Sequence, residues 1–238
     1  MSRGFGEVEL LQELLPAWAV AVAGVLTQLG DAWFLALFVG SVFLFADRYR
    51  VDMVALLGIA FGATGLYRGL KHLFVLPRPA ASPLDGGKLH PVVEGILELT
   101  ATPASYGFPS GHATGAAVVY LGLASTLAIW TRRKRFLVAS AVIATVATTR
   151  LVLAVHFFVD VVAGVALGAA FVAVVFVAPR ELAPDYRIPI AYATALPLAV
   201  FYFVTSGGNI QAVLLLGATV AVPVGYSLSP WSVQPTGS

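Results

Sequence analysis

The chain has 238 residues, a net charge of +2, a hydrophobic fraction of 59% and only 11% charged residues. Soluble domains run at about 45–50% apolar and ~25% charged, so a water-soluble enzyme is excluded for want of charge to cover its surface. A mean hydropathy of +0.89 excludes disorder, the absence of cysteine excludes thiolate and Cys-ligated metal chemistry, and the balanced charge argues against nucleic acid as a partner.

What remains is a polytopic membrane protein with a single integral domain over 1–238. The N-terminal stretch sets Arg3 against Glu7, Glu9 and Glu13, so no basic leader of a cleavable signal peptide is indicated. A bilayer core takes about 20 apolar residues at 1.5 Å rise each. The run 17–29 is too short for that and predicts an interfacial or re-entrant helix, with a tight hairpin onto 32–46 as the alternative. The run 32–46 is a short span extendable through Gly30, and further runs follow at 53–67, 113–131, 136–149, 161–178, 188–204 and 210–227. The expected fold is therefore an all-α transmembrane bundle of about six to seven spans with an N-terminal interfacial helix. Its motif-bearing core covers 53–178, and two extra spans occupy 188–227.

Basic residues in short loops mark the cytoplasmic side. Arg48 with Arg50, the cluster Arg132 to Arg135, and Arg180 with Arg187 all fall on one face when seven spans are counted. The N-terminus is then outside and the C-terminus inside. The long connection 77–110, rich in proline and glycine, lies on the outer face, where a functional lid is the expectation, with a short surface helix over 92–100.

Ionisable groups near a bilayer are costly and default to a functional reading. Lys71 and Arg78 close one span, His112 opens the next, and Arg150, His156 and Asp160 flank two later runs, all at the outer end. Arg forks and a Lys point charge suit phosphate oxygens. The sequence Pro109-Ser110-Gly111-His112 enters a helix whose N-terminal N–H groups attract anions. His156 and Asp160 are four apart, so a carboxylate can hold one imidazole nitrogen and leave the other as a nucleophile.

Lys71-x6-Arg78-Pro79, Pro109-Ser110-Gly111-His112 and Arg150-x5-His156-x3-Asp160 together resemble the type-2 phosphatidic acid phosphatase superfamily, which includes vanadium haloperoxidases and glucose-6-phosphatase-like enzymes. The third motif departs slightly, with Thr149 before Arg150 where serine is usual. The resemblance implies hydrolysis of phosphate esters without metal or other cofactor. His156 would be the nucleophile, Asp160 its orienting group, and His112 the general acid and base. Lys71, Arg78, Ser110, Gly111 and Arg150 would hold the phosphate. It also implies a lipid phosphate as substrate and membrane lipids as surroundings: phosphatidic acid, phosphatidylglycerol phosphate or polyprenyl diphosphates. A membrane sugar-phosphatase and a non-catalytic lipid-phosphate binder or transporter are the alternatives. The expected location is the cell membrane, with the site on its outer face; the sequence sets no oligomeric state.

Blander readings go to the remaining polar residues. Arg68 and His72 read as interfacial or snorkelling groups, with an extra phosphate contact the alternative for Arg68. His90 reads as a solvated loop residue. Asp31 reads as a loop residue that reaches the site only if 17–31 is re-entrant. The pairs Gly65/Gly69, Gly111/Gly115 and Gly164/Gly168 read as close helix contacts.

Overall fold

The structure, a computed structural model, describes residues 3–80, 95 and 106–232. The described residues form helices α1 (Glu7–Leu14), α2 (Ala17–Leu26), α3 (Ala32–Phe45), α4 (Arg50–Phe74), α5 (Gly111–Thr126) and α6 (Arg132–Val152). They continue with α7 (Phe158–Phe171), α8 (Ala178–Leu182), α9 (Arg187–Thr205) and α10 (Ile210–Ser227). A π-helical stretch, Val172–Val177, joins α7 to α8 in one continuous span. The predicted helix over 92–100 and His90 lie outside the described residues.

Among the described residues, five segments are long and apolar enough to cross a membrane: Asp47–Phe74, Arg132–Val152, Phe158–Leu182, Pro184–Thr205 and Ile210–Ser227. Two shorter helices run beside them, α3 with 14 residues and α5 with 16. Helix α5 is the buried centre of the bundle, so it needs no lipid-matching length of its own. It stops at Thr126 rather than carrying the predicted run to 131, and Leu127 turns extended where Arg135 reaches back to its carbonyl.

Contacts fix the direction of each helix. At one end lie Arg50 on the Phe43 carbonyl (3.2 Å), Arg180 on the Ser125 carbonyl (2.8 Å), and Arg180 and Arg187 on Asp52 (3.3 and 2.7 Å). Trp231 stacks edge-on to Phe43 at the same end. At the other end, Asp31 approaches His112, Arg68 reaches Gln211, and Arg78 meets the Val155 carbonyl. Helices α3, α4, α5, α6, α7 with α8, α9 and α10 thus alternate in direction, and the predicted basic loops gather at the end opposite the phosphate motifs.

The N-terminal segment does not cross. Glu7–Leu14 and Ala17–Gly30 meet at 118°, and both ends of this pair stay near the motif-bearing end. Val8 packs on Ala154 and Phe157, while Val20 and Ala23 pack on Val152, Leu153 and Val155. The interfacial or re-entrant reading of 17–29 therefore describes it better than a hairpin span.

Glycine brings the site helices together. A Cβ at Gly164 would lie 2.6 Å from the Ser110 carbonyl, and one at Gly168 would lie 2.6 Å from the Thr114 carbonyl. Gly65 is equally close to the Leu198 carbonyl, at 2.5 Å. Small residues of this kind let helix backbones approach in lipid.

Candidate active site

Local caps deliver each motif. Ser110 is the N-cap of α5: its Oγ accepts from the Ala113 N–H (3.5 Å), and its own N–H donates to the Asp160 carbonyl (2.9 Å). Gly111 follows at the first turn, where N–H groups lack intrahelical partners. A Cβ there would lie 2.7 Å from the Tyr67 ring, so a larger residue would have to displace that ring. His112 then faces the cavity.

Helix α6 ends in a reversal that places the nucleophile candidate. Ala154 N–H donates to the Leu151 carbonyl (2.9 Å) and Val155 N–H to the Arg150 carbonyl (3.2 Å), the two bonds of a Schellman turn. Ala154 occupies its left-handed position with φ 52°, a conformation a non-glycine residue adopts only when its surroundings enforce it. His156 therefore sits in the connection before α7 rather than on the helix itself. Asp160, in the first turn of α7, reaches back to the Phe157 N–H (3.1 Å) and lies 3.5 Å from His156 Nδ1. The i, i+4 spacing brings the pair together, but through a turn.

The cations arrive from three directions. Lys71, buried near the end of α4, donates to the Tyr106 carbonyl (2.6 Å). Val75, left-handed at φ 52°, ends α4 so that Arg78 folds back, donating to the Val155 carbonyl (2.9 Å) and lying 3.4 Å from His156 Nε2. Arg150, 2% exposed, donates to Thr27 Oγ1 (2.6 Å). Burial and then the Arg78 charge push the His156 pKa well below its ordinary value, so its imidazole is neutral at physiological pH.

These groups share one cavity of about 410 Å³. Lys71, Arg78, Gly111, His112, Arg150 and His156 line its polar end, and Leu35, Val39, Leu57, Phe61 and Val118 its apolar depth between α3, α4 and α5. Asp160 and Ser110 stand behind the wall, both fully buried. Ser110, expected to touch phosphate, is also the cap that presents Gly111, and accepting from Ala113 leaves its own O–H as a donor. Among the cavity-lining groups Arg150 Nε is buried with no hydrogen-bond partner. Buried polar groups are normally paired, so a ligand accepting there would complete the bonding.

Several neighbours of the site were not assigned from sequence. Arg3 forks onto Asp160 (3.2 Å to each carboxylate oxygen) and onto the Pro77 carbonyl (2.9 Å). Thr27 holds Arg150, and Asp31 lies 3.7 Å from His112 Nε2, so the re-entrant alternative for Asp31 applies. Arg68 lines the cavity with His72 instead of snorkelling away from it. The one signal for Asp31 was its position as a lone charge between two apolar runs; Arg3 and Thr27 carried none.

A cluster of cations and imidazoles at one end of a bundle of apolar, membrane-length helices belongs to an integral membrane protein. The PAP2 superfamily is matched over residues 51–183, and the chain belongs to that phosphatase superfamily. The fold is similar to the crystal structure of the first transmembrane PAP2 type phosphatidylglycerolphosphate phosphatase from Bacillus subtilis. The TM-score is 0.62 and the identity 24%, covering 74% of this chain and 84% of that one. No curated protein sequence matches the chain significantly.

Proposed function

We propose that this protein hydrolyses phosphate monoesters or diphosphates carried by lipids, through a covalent phosphohistidine on His156. One observation carries the reading: the cation-lined end of the cavity continues directly into an apolar slot. A phosphate with a greasy tail fits both ends, whereas a sugar phosphate leaves the apolar end unused.

His156 Nδ1, facing Asp160, keeps its proton, and Nε2 presents a lone pair toward Arg78 and the cavity. Nε2 attacks phosphorus, forming the P–N bond as the P–O bond to the leaving group breaks. His112 protonates the departing oxygen, then takes a proton from the water that cleaves the P–N bond. Lys71, Arg78, Arg150 and the Gly111 N–H surround the equatorial oxygens, where negative charge spreads in the transition state. Ser110 and Asp160 hold these groups in place from behind. The basic loops at the opposite end support an extracytoplasmic site.

The test is phosphate release by detergent-purified protein in EDTA. The panel is phosphatidic acid, phosphatidylglycerol phosphate, a polyprenyl diphosphate and glucose 6-phosphate. Release from at least one lipid and not from the sugar, lost in His156→Ala, is expected. Equal release by wild type and variant, or release from the sugar phosphate alone, would contradict the reading.

A further inference from the structure

The cavity wall holds one more cation than a single phosphoryl group needs. Lys71, Arg78 and Arg150 serve the reacting phosphate in the function proposed above, on which this inference rests. Arg68 lines the same cavity one helical turn before Lys71. Side chains at that spacing start about 5–6 Å apart on one helix face.

Arg68 differs from the ion-paired arginines of the described residues. Arg3, Arg50, Arg180 and Arg187 each meet a carboxylate. Among the described residues Arg68 has none within ion-pair distance. Neutral groups hold it instead: Nε donates to Tyr67 Oη (3.4 Å), and Nη1 to Tyr202 Oη (3.4 Å) and to Gln211 Oε1. Tyr202 in turn donates to Asn209 Oδ1 (3.2 Å). Neutral acceptors orient a guanidinium without cancelling its charge. A half-buried cation with no carboxylate partner beside a cavity suits an anion, which would meet it with charge-assisted hydrogen bonds.

Tyr202, Asn209 and Gln211 belong to α9, α10 and the turn between them, outside the matched residues 51–183. The two C-terminal helices therefore supply this part of the cavity. We propose that Arg68, set by Tyr202, Asn209 and Gln211, forms a second phosphate subsite for the phosphate that is not hydrolysed in a lipid bearing two. Two sources supply that chemistry. In a lipid diphosphate, the P–N bond to His156 forms as the bond to the bridging oxygen breaks, and that oxygen leaves on a lipid monophosphate held by Arg68. In phosphatidylglycerol phosphate, Arg68 holds the phosphodiester while the terminal monoester is cleaved.

The experiment compares kcat/KM of wild type, Arg68→Gln and Arg68→Lys on geranylgeranyl diphosphate, geranylgeranyl phosphate, phosphatidylglycerol phosphate and phosphatidic acid. In Arg68→Gln the ratio of a two-phosphate to a one-phosphate lipid is expected to fall about 10–100-fold, the loss of a charged hydrogen bond, with partial recovery in Arg68→Lys. The two-phosphate lipid that loses most identifies the source. An unchanged ratio would overturn the subsite while leaving the phosphatase reading intact. A readout without turnover separates the two: inorganic diphosphate should raise the thermal midpoint of wild type more than phosphate does, and Arg68→Gln should erase the difference. Wild type that hydrolyses nothing yet shows this difference would count against the phosphatase reading alone; no difference in wild type would overturn the subsite.

Discussion

Asp31 illustrates how a single residue outside the motifs shapes the chemistry of one inside them. It lies 3.7 Å from His112 Nε2, with Arg150 and Arg78 as the cations on the other sides of the cavity. Contact with His112 holds its carboxyl below the usual carboxylate range, against the opposing effect of burial. Asp31 is thus an anion at neutral pH and favours the protonated imidazole that a general acid requires, against burial and then the Arg150 charge, which lower the His112 pKa. Removing it makes protonation harder among the remaining cations. In Asp31→Asn the alkaline limb of the kcat/KM profile should move to lower pH. At neutral pH, kcat/KM on a lipid with an alkoxide leaving group should fall about 10–100-fold, within the range of general acid catalysis. On an activated aryl phosphate, which needs no leaving-group proton, it should change little. An unchanged profile would show that Asp31 does not act through His112.

The motif residues were legible because chemistry dictates both their type and their spacing. Lys71, Arg78, His112, Arg150 and His156 all reach one cavity. The partners that hold them were not, because no local spacing encodes contacts such as Arg3 to Asp160 or Thr27 to Arg150, across 157 and 123 positions. Ser110 shows a second kind of gap: its place beside a phosphate motif suggests a phosphate ligand but does not reveal that the same hydroxyl caps α5 at the Ala113 N–H.

At the scale of elements, hydropathy located the helices well and their ends less well. Apolar runs define what lipid or core accepts, but caps and turns define where a helix stops. The run to 131 ends at Thr126, and the His156–Asp160 pair is joined by a turn because the Schellman reversal at Ala154 intervenes. The N-terminal segment shows why length matters. Ten residues in α2 cannot cross a bilayer, so the chain lies against α6 and delivers Thr27 and Asp31 to the site from the side. The glycine pairs were legible as contacts, and the structure adds what each contacts: Gly164 and Gly168 press α7 onto α5, which brings the Asp160 helix against the His112 helix.

For the whole molecule, two ends of opposite character imply an orientation. Arg48, Arg50, Arg132, Arg133, Lys134, Arg135, Arg180 and Arg187 populate one end, and the cavity opens near the other. Basic residues favour the cytoplasmic side, so the proposed phosphate site is expected to face outward. The chain contains no cysteine, which makes single-cysteine labelling clean. In sealed cells a membrane-impermeant reagent should label His90→Cys and spare Lys134→Cys. The reverse pattern would place the site in the cytoplasm.

The central claim is that His156 becomes phosphorylated during turnover, and rapid quenching of the purified protein with a lipid substrate labelled in its terminal phosphate tests it most directly. The account requires a labelled phosphoprotein that is stable to alkali and labile to acid, maps to His156, and is absent from His156→Ala. Turnover of the lipid with no protein-bound label, or with the label on another residue, would contradict it.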